Sequence, residues 1–214
     1  MALLSPERRA SLTAKAQQYA DNLDEAVPYL LSRSITKEAA QMFNLGCVPQ
    51  GHEHAGRLSI PYNTPSGVVT IKLRCTNLNH GDHKGIGCPK YVPIEAGLSL
   101  HLYNAQSLIQ ADGAVVITEG ELDAIAVQAY CGIPAVAYPG VSTWKQQEHY
   151  PLCFEGISEV LVISDGDDVG REAAERVARS IGIAARVVEL PQGLDSNSYL
   201  AQHGVAQFTE RLFQ

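Results

Sequence analysis

The sequence predicts an α/β fold in which an α+β segment precedes a layer built on a parallel sheet. Two observations carry this. After residue 113, strand-like segments recur at 114–118, 135–138, 160–163 and 186–190, the first of them a short continuous apolar run, with helical stretches at 121–130 and 170–181 between them. Runs of that kind belong to strands buried on both faces, and their alternation with helices makes a parallel sheet. Before residue 110 the texture differs, with helices first and then β-branched alternation.

Taken in order, Ser5-Pro6-Glu7 reads as an N-cap with Pro in the first turn. The helical pattern runs to about Phe43, with Ala26, Tyr29, Leu30 and Ile35 on an apolar face. Thr36-Lys37-Glu38-Ala39 is a second capped start. From Gly46 to about Tyr103, Leu58-Ser59-Ile60 and the run from Val68 to Arg74 read as strands. Thr64-Pro65-Ser66-Gly67 is the turn between them, which makes a hairpin. A boundary is expected near residues 104–112, giving domains 1–108 and 109–214.

With 214 residues, 45% hydrophobic and 18% charged, the chain suits one large domain or two small ones. Its start is polar, and no apolar stretch approaches membrane-spanning length, so no secretion signal and no membrane partner are expected. That reading is cytoplasmic. Five cysteines, an odd number without a secretory signal, argue against a disulfide framework. The net charge of −7 is unevenly spread: residues 1–110 hold ten Lys/Arg against eight Asp/Glu, and residues 111–214 six against fifteen. A mildly basic first half beside an acidic second half that needs cations is compatible with a polyanionic substrate; an ordinary acidic domain is the plainer account.

Parallel sheets gather ligands at the carboxyl ends of their strands. Glu119 follows the first run directly, Asp165 and Asp167 follow the third, and Asp195 comes shortly after the fourth. Any one of them alone is explained as a helix cap. Together they would crowd one sheet edge, repel, and raise one another's pKa unless a cation neutralises them. Hard oxygen donors of this kind favour Mg²⁺ or Mn²⁺. Gly120 and Gly166, each just after a carboxylate, permit close backbone approach.

A second cluster is Cys75, His80, His83 and Cys88, spaced C-x4-H-x2-H-x4-C after a strand. Such a set can hold tetrahedral Zn²⁺ and stabilise a loop too small for its own core. The alternative is a polar, Gly-rich loop with unrelated cysteines at its ends. His52 and His54 read as loop residues, Cys131 and Cys153 as packing residues. Trp144 reads as a packing residue ahead of a base-stacking one.

The segments Glu119-Gly120-Glu121-Leu122-Asp123 and Asp165-Gly166-Asp167-Asp168-Val169-Gly170-Arg171 resemble the two motifs of the Toprim domain, found in bacterial-type primases, topoisomerases, nucleases and repair proteins. Similarity to the bacterial and phage (DnaG-like) primase core extends upstream in order. It passes through Tyr29-Leu30-Leu31-Ser32-Arg33, Phe43-Asn44-Leu45-Gly46, Gly56-Arg57-Leu58-Ser59-Ile60-Pro61, Lys90-Tyr91 and Leu102-Tyr103-Asn104. The resemblance implies a Toprim sheet in which Glu119, Asp165 and Asp167 bind metal. Asp195 belongs to a later acidic pair whose second member is here Asn197, a departure from the family. It also implies that Arg57, Lys72, Arg74 and Lys90 contact template DNA and nucleotide phosphates; only the final Arg of the family's F-G-G-R survives in Ile71-Lys72-Leu73-Arg74. Solvated strand-edge cations are the plainer reading of these four.

The expected activity is that of a DNA-directed nucleotidyltransferase making RNA primers from NTPs on single-stranded DNA. Asp123 would support the metal site, and Glu119 could alternatively act as general acid or base. The chain reads as a catalytic core, of the kind found in phages, which would place it in the host cytoplasm. A replicative helicase or a separate zinc-binding protein is the expected partner. A Toprim nuclease and a non-catalytic nucleic-acid or replisome-binding module are the rival readings, and a topoisomerase would need strand-passage domains.

Overall fold

A computed structural model describes residues 4–81, 83, 85–95, 101–138, 140, 144 and 147–214. The chain divides into two compact units, Met1–Ser99 and Leu100–Gln214. This division falls ahead of the 108/109 boundary expected from the sequence. The cause is packing: Leu102 is buried in the core of the second unit, with Ala105, Leu108 and Ala111 against it. Tyr103 also exchanges backbone hydrogen bonds with Ala137.

The first unit opens with α1 (Pro6–Ala20), capped by the Ser5 hydroxyl, which accepts from the Arg8 N–H at 3.2 Å. Two short helices follow, α2 (Val27–Ser32) and α3 (Lys37–Met42), the latter capped by Thr36 as the sequence indicates. Four antiparallel strands, β1 (Gly46–Cys47), β2 (Leu58–Thr64), β3 (Gly67–Arg74) and β4 (Tyr91–Pro93), lie in the order β1-β2-β3-β4. The expected hairpin is β2–β3, with Leu58 opposite Arg74 and a register shift at Tyr62/Asn63. Leu12, Ala16 and Tyr19 of α1 cover the sheet residues Val68, Ile71 and Leu73.

The second unit holds β5 (Ala114–Thr118), β6 (Ala135–Ala137), β7 (Glu159–Ser164) and β8 (Ala185–Glu189), in the order β6-β5-β7-β8. Every pairing is parallel, so the α/β reading of this half holds. α4 (Glu121–Ala126) follows β5 and passes into a π-helical turn, Val127–Cys131, that ends at Gly132 with φ 69°. α5 (Asp168–Ile181) follows β7, and α6 (Ser196–Phe213) ends the chain with a kink at Gly204. The core joins Val115, Ile117, Val136, Val160 and Val162 of the strands to Ala174, Val177 and Ala178 of α5. Trp144 belongs to it, edge-on to Tyr138 and donating its indole N–H to Ser180 Oγ at 3.0 Å. That agrees with its packing role. Among the described residues, no helix is long and apolar enough to cross a membrane.

Ile117 sits mid-strand in β5 with no exposed surface, while Ile183 in the same unit is fully exposed. Ile117→Ala is expected to cost about 2–5 kcal/mol of unfolding free energy by the lost transfer energy and the cavity. Ile183→Ala should stay within about 0.5 kcal/mol. Urea titration of the whole chain, followed by far-ultraviolet circular dichroism, checks both.

Candidate carboxylate centre and basic cluster

β5 and β7 are parallel neighbours with Ile117 opposite Val162, so their carboxyl ends emerge side by side. Glu119 leaves the end of β5 and Asp165 the end of β7. The Asp165 carboxyl is pushed up to about 7, first by burial and then by the charges of Asp123, Glu119, Asp195 and Asp167. The charges that raise Asp165 are those of acids near it, which groups the five carboxylates at one sheet edge. All the sequence-predicted acids are thus brought together.

Two of them have second duties. Asp167 caps α5, its Oδ1 accepting from Gly170 N–H at 2.6 Å. Asp195 caps α6, its Oδ1 accepting from Ser198 N–H at 2.8 Å. Capping, the plainer account of each residue, is therefore real here. It occupies one oxygen of each carboxylate and positions the rest. The loops after β7 and β8 are also tied together: Gly166 N–H donates to Leu194 O at 3.1 Å, and Gly193 N–H to Gly166 O at 3.0 Å. A Cβ on Gly166 would lie 2.0 Å from Pro191 O, so only glycine allows this clasp, which delivers Asp195 to the site.

Asn197 is the residue whose function the sequence did not show. It stands at the start of α6, and both its backbone N–H and its Nδ2 donate to Asp123 Oδ1, at 3.2 and 2.7 Å. Both residues are buried. Asp123 Oδ2 meanwhile lies so close to Gly120 that a Cβ there would sit 2.4 Å from it. Where an acid would repel Asp123, the amide holds it. Asn197 Oδ1 is buried without a hydrogen-bond partner among the described residues, leaving a neutral oxygen donor beside the acids. Tyr138, after β6, is a further neighbour: burial and the charges of Glu119 and Asp165 raise its pKa, with Arg176 acting the other way. Only the position of Tyr138 at a strand end signals its place.

Lys72, Arg74 and Lys90 converge on one aromatic ring of the first unit. Lys72 Nζ lies 4.3 Å from the Tyr91 ring centroid, Arg74 Cζ 5.0 Å and Lys90 Nζ 5.9 Å. Arg74 also donates to the hydroxyls of Tyr29 and Tyr91. Arg57 has other partners, donating to Pro89 O at 2.9 Å and to Cys88 Sγ at 3.1 Å. The cysteine and histidine loop is assembled too, since ligand atoms of Cys75, His80, His83 and Cys88 all lie within 4.8 Å of one another.

The acids suit a hard divalent cation such as Mg²⁺ or Mn²⁺. Their oxygens are the donors such ions take, and the burial and repulsion that raise Asp165 are what a cation would offset.

Residues 116–200 match the Toprim-like family model. The gene 57 protein of Mycobacterium phage D29 is 38% identical over 164 residues, covering 74% of this chain and 99% of that protein. The DNA primase of Pasteurella multocida is 31% identical over 238 residues, covering 91% of this chain and 40% of the primase. The chain thus spans less than half the length of that primase. Among solved structures, the E. coli primase catalytic core superposes with a TM-score of 0.75 at 23% identity, covering 96% of this chain and 79% of that one.

Asp165, raised from 3.8 to about 7, binds more protons folded than unfolded, so metal-free stability falls as pH rises through that window. A cation removes the penalty, and the rise in Tm on adding Mn²⁺ is expected to be larger at about pH 8 than at about pH 5. Asp167→Asn keeps an equivalent cap and should change metal-free stability by less than about 0.5 kcal/mol while shrinking the Mn²⁺ effect; Asp167→Ala should lose about 1 kcal/mol as well. Scanning calorimetry reads both. Asn197→Asp, which removes one donor to Asp123 and adds a repelling charge, should lower metal-free Tm more at about pH 8 than at about pH 5. An unchanged Tm at the higher pH would show that the amide does not brace Asp123.

Proposed function

The chain belongs to the family of Toprim-domain, DnaG-like primase cores, and from that premise we propose that it is a metal-dependent nucleotidyltransferase that makes short RNA primers on single-stranded DNA. The observation that carries this reading is the convergence of four carboxylates on Asp165 at the carboxyl edge of a parallel sheet. Phosphoryl transfer needs charge neutralisation and alignment more than it needs covalent chemistry. Mg²⁺ or Mn²⁺ bound to the acids would supply that neutralisation.

The chain's own residues divide the remaining work. Glu119, Asp165 and Asp167 hold the cation, with Asp167 fixed by its cap on α5. Asp195 is fixed in the same way on α6 and adds charge to the set. Asp123, gripped by Asn197, is a positioning residue that keeps the acids in register. Lys72, Arg74 and Lys90, gathered on Tyr91, pair with phosphates of template or incoming nucleotide. Arg57 is turned to Cys88 and Pro89, so the phosphate role rests on the other three. A replicative helicase or a separate zinc-binding protein is the proposed companion.

The test is incubation of the chain with single-stranded templates, labelled NTPs and Mg²⁺ or Mn²⁺. Template-dependent oligoribonucleotides are expected, falling by at least about 10²-fold in Asp165→Ala. Arg74→Ala should weaken template binding and flatten its salt dependence by about one unit of slope. Cleavage of the template without synthesis would replace this reading with a nuclease; tight binding with neither activity would leave a binding module.

A further inference from the structure

We propose that Cys75, His80, His83 and Cys88 form a structural Zn²⁺ site, separate from the carboxylate centre, which closes the loop between β3 and β4 and fixes Arg57. Cys75 directly follows β3, and Cys88 lies three residues before β4. The two ends of the loop are joined by Cys75 N–H donating to Lys90 O at 2.9 Å. Among the described residues between them, none is buried. Leu78 and Ile86 are exposed, and Gly81, Gly85 and Gly87 all have positive φ. His83 takes a φ of 66°, a conformation that is costly for a side chain of its size and calls for something that holds it there.

The ligand geometry already matches a tetrahedral ion. Zn–S bonds of about 2.3 Å and Zn–N bonds of about 2.0 Å at a tetrahedral angle put two sulfurs about 3.8 Å apart and sulfur and nitrogen about 3.5 Å apart. The Cys75 and Cys88 sulfurs are 3.7 Å apart, and Cys75 Sγ is 3.4 Å from His80 Nδ1. The His80 and His83 rings stand nearly perpendicular with centroids 5.8 Å apart. His83 Nδ1 lies 3.0 Å from Cys88 O, the kind of backbone contact that orients a ligating ring and leaves Nε2 to bind. Two thiolates and two imidazoles select Zn²⁺ over the hard cations suited to the carboxylates. A disulfide would need the sulfurs at about 2 Å, and both cysteines are free.

Arg57 completes the arrangement. Its Nη2 donates to Cys88 Sγ and its Nη1 to Pro89 O, so the ion that fixes Cys88 also fixes this guanidinium from the start of β2. A cation beside two thiolates offsets their charge and favours the ionised form that binds metal.

The test is metal analysis of the whole chain purified without added chelator. About one zinc per chain is expected. Co²⁺ in its place should give visible d–d bands of tetrahedral strength with a thiolate charge-transfer band. Cys88→Ser and His83→Ala should lose stoichiometric zinc, whereas Cys153→Ser, at an exposed cysteine elsewhere, and Asp165→Asn should keep it. Should Cys88→Ser fail to fold, the wild-type chain decides: stripping with a chelator should lower Tm, and Zn²⁺ but not Mg²⁺ should restore it. Substoichiometric zinc with both thiols open to titration, a Cys75–Cys88 disulfide by mass, or an unchanged cobalt spectrum in Cys88→Ser would each overturn the proposal. These readouts do not depend on primer synthesis, so failure here and failure of the primase reading are separable.

Discussion

Mutual repulsion among carboxylates is the constraint on which the second unit is built. Glu119, Asp123, Asp167 and Asp195 all press on a half-buried Asp165, and unassisted they would move apart or take up protons. The fold opposes this with backbone. β5 and β7 lie side by side at the centre of the sheet, with Val116 opposite Leu161 and Ile117 opposite Val162, which fixes the separation of their ends. Two helix caps, a pair of hydrogen bonds between the loops at Gly166 and 193–194, and the double grip of Asn197 on Asp123 then fix the individual acids. The result is a cluster of acids whose positions are fixed by backbone before any cation binds.

Helix capping and metal binding, which look like rival explanations of an acidic residue, cooperate in this arrangement. A carboxylate has two oxygens, and an N-cap satisfies one of them with a backbone N–H. Asp167 and Asp195 both use Oδ1 in that way. The cap removes rotamer freedom that a ligand would otherwise have to freeze on binding. Each helix N-terminus also presents partial positive charge that offsets part of the crowding. Losing a cap would therefore loosen the site as well as the helix.

Much of this was legible in the sequence, and the remainder was hidden for identifiable reasons. Apolar runs at β5, β6 and β7 disclosed the parallel sheet because buried strands have no polar face to interrupt them. The acids disclosed the site because they fall at the ends of those strands. β1 and β4 were not legible, since a two-residue and a three-residue strand carry no periodicity of their own and exist only as partners of β2 and β3. α6 escaped because a Gly204 kink and polar residues such as Gln202 and His203 break its apolar stripe. Residues 101–111 form 3₁₀ turns and a single bridge, which have no sequence period, so their packing with the second unit was not legible.

Asn197 shows where reading residue types reaches its limit. Matched to a pattern, an amide at an acidic position looks like a ligand lost. In place, it donates where a carboxylate can only accept, and its target is an acid already under strain from its neighbours. One negative charge fewer and one hydrogen bond more change the balance in the same direction, toward a set of acids that stays assembled at lower total charge. A pocket with fewer charges needs less cation to neutralise it. On the proposed reading, the amide lowers how many positive charges the centre must take up, while Glu119, Asp165 and Asp167 remain its oxygen donors.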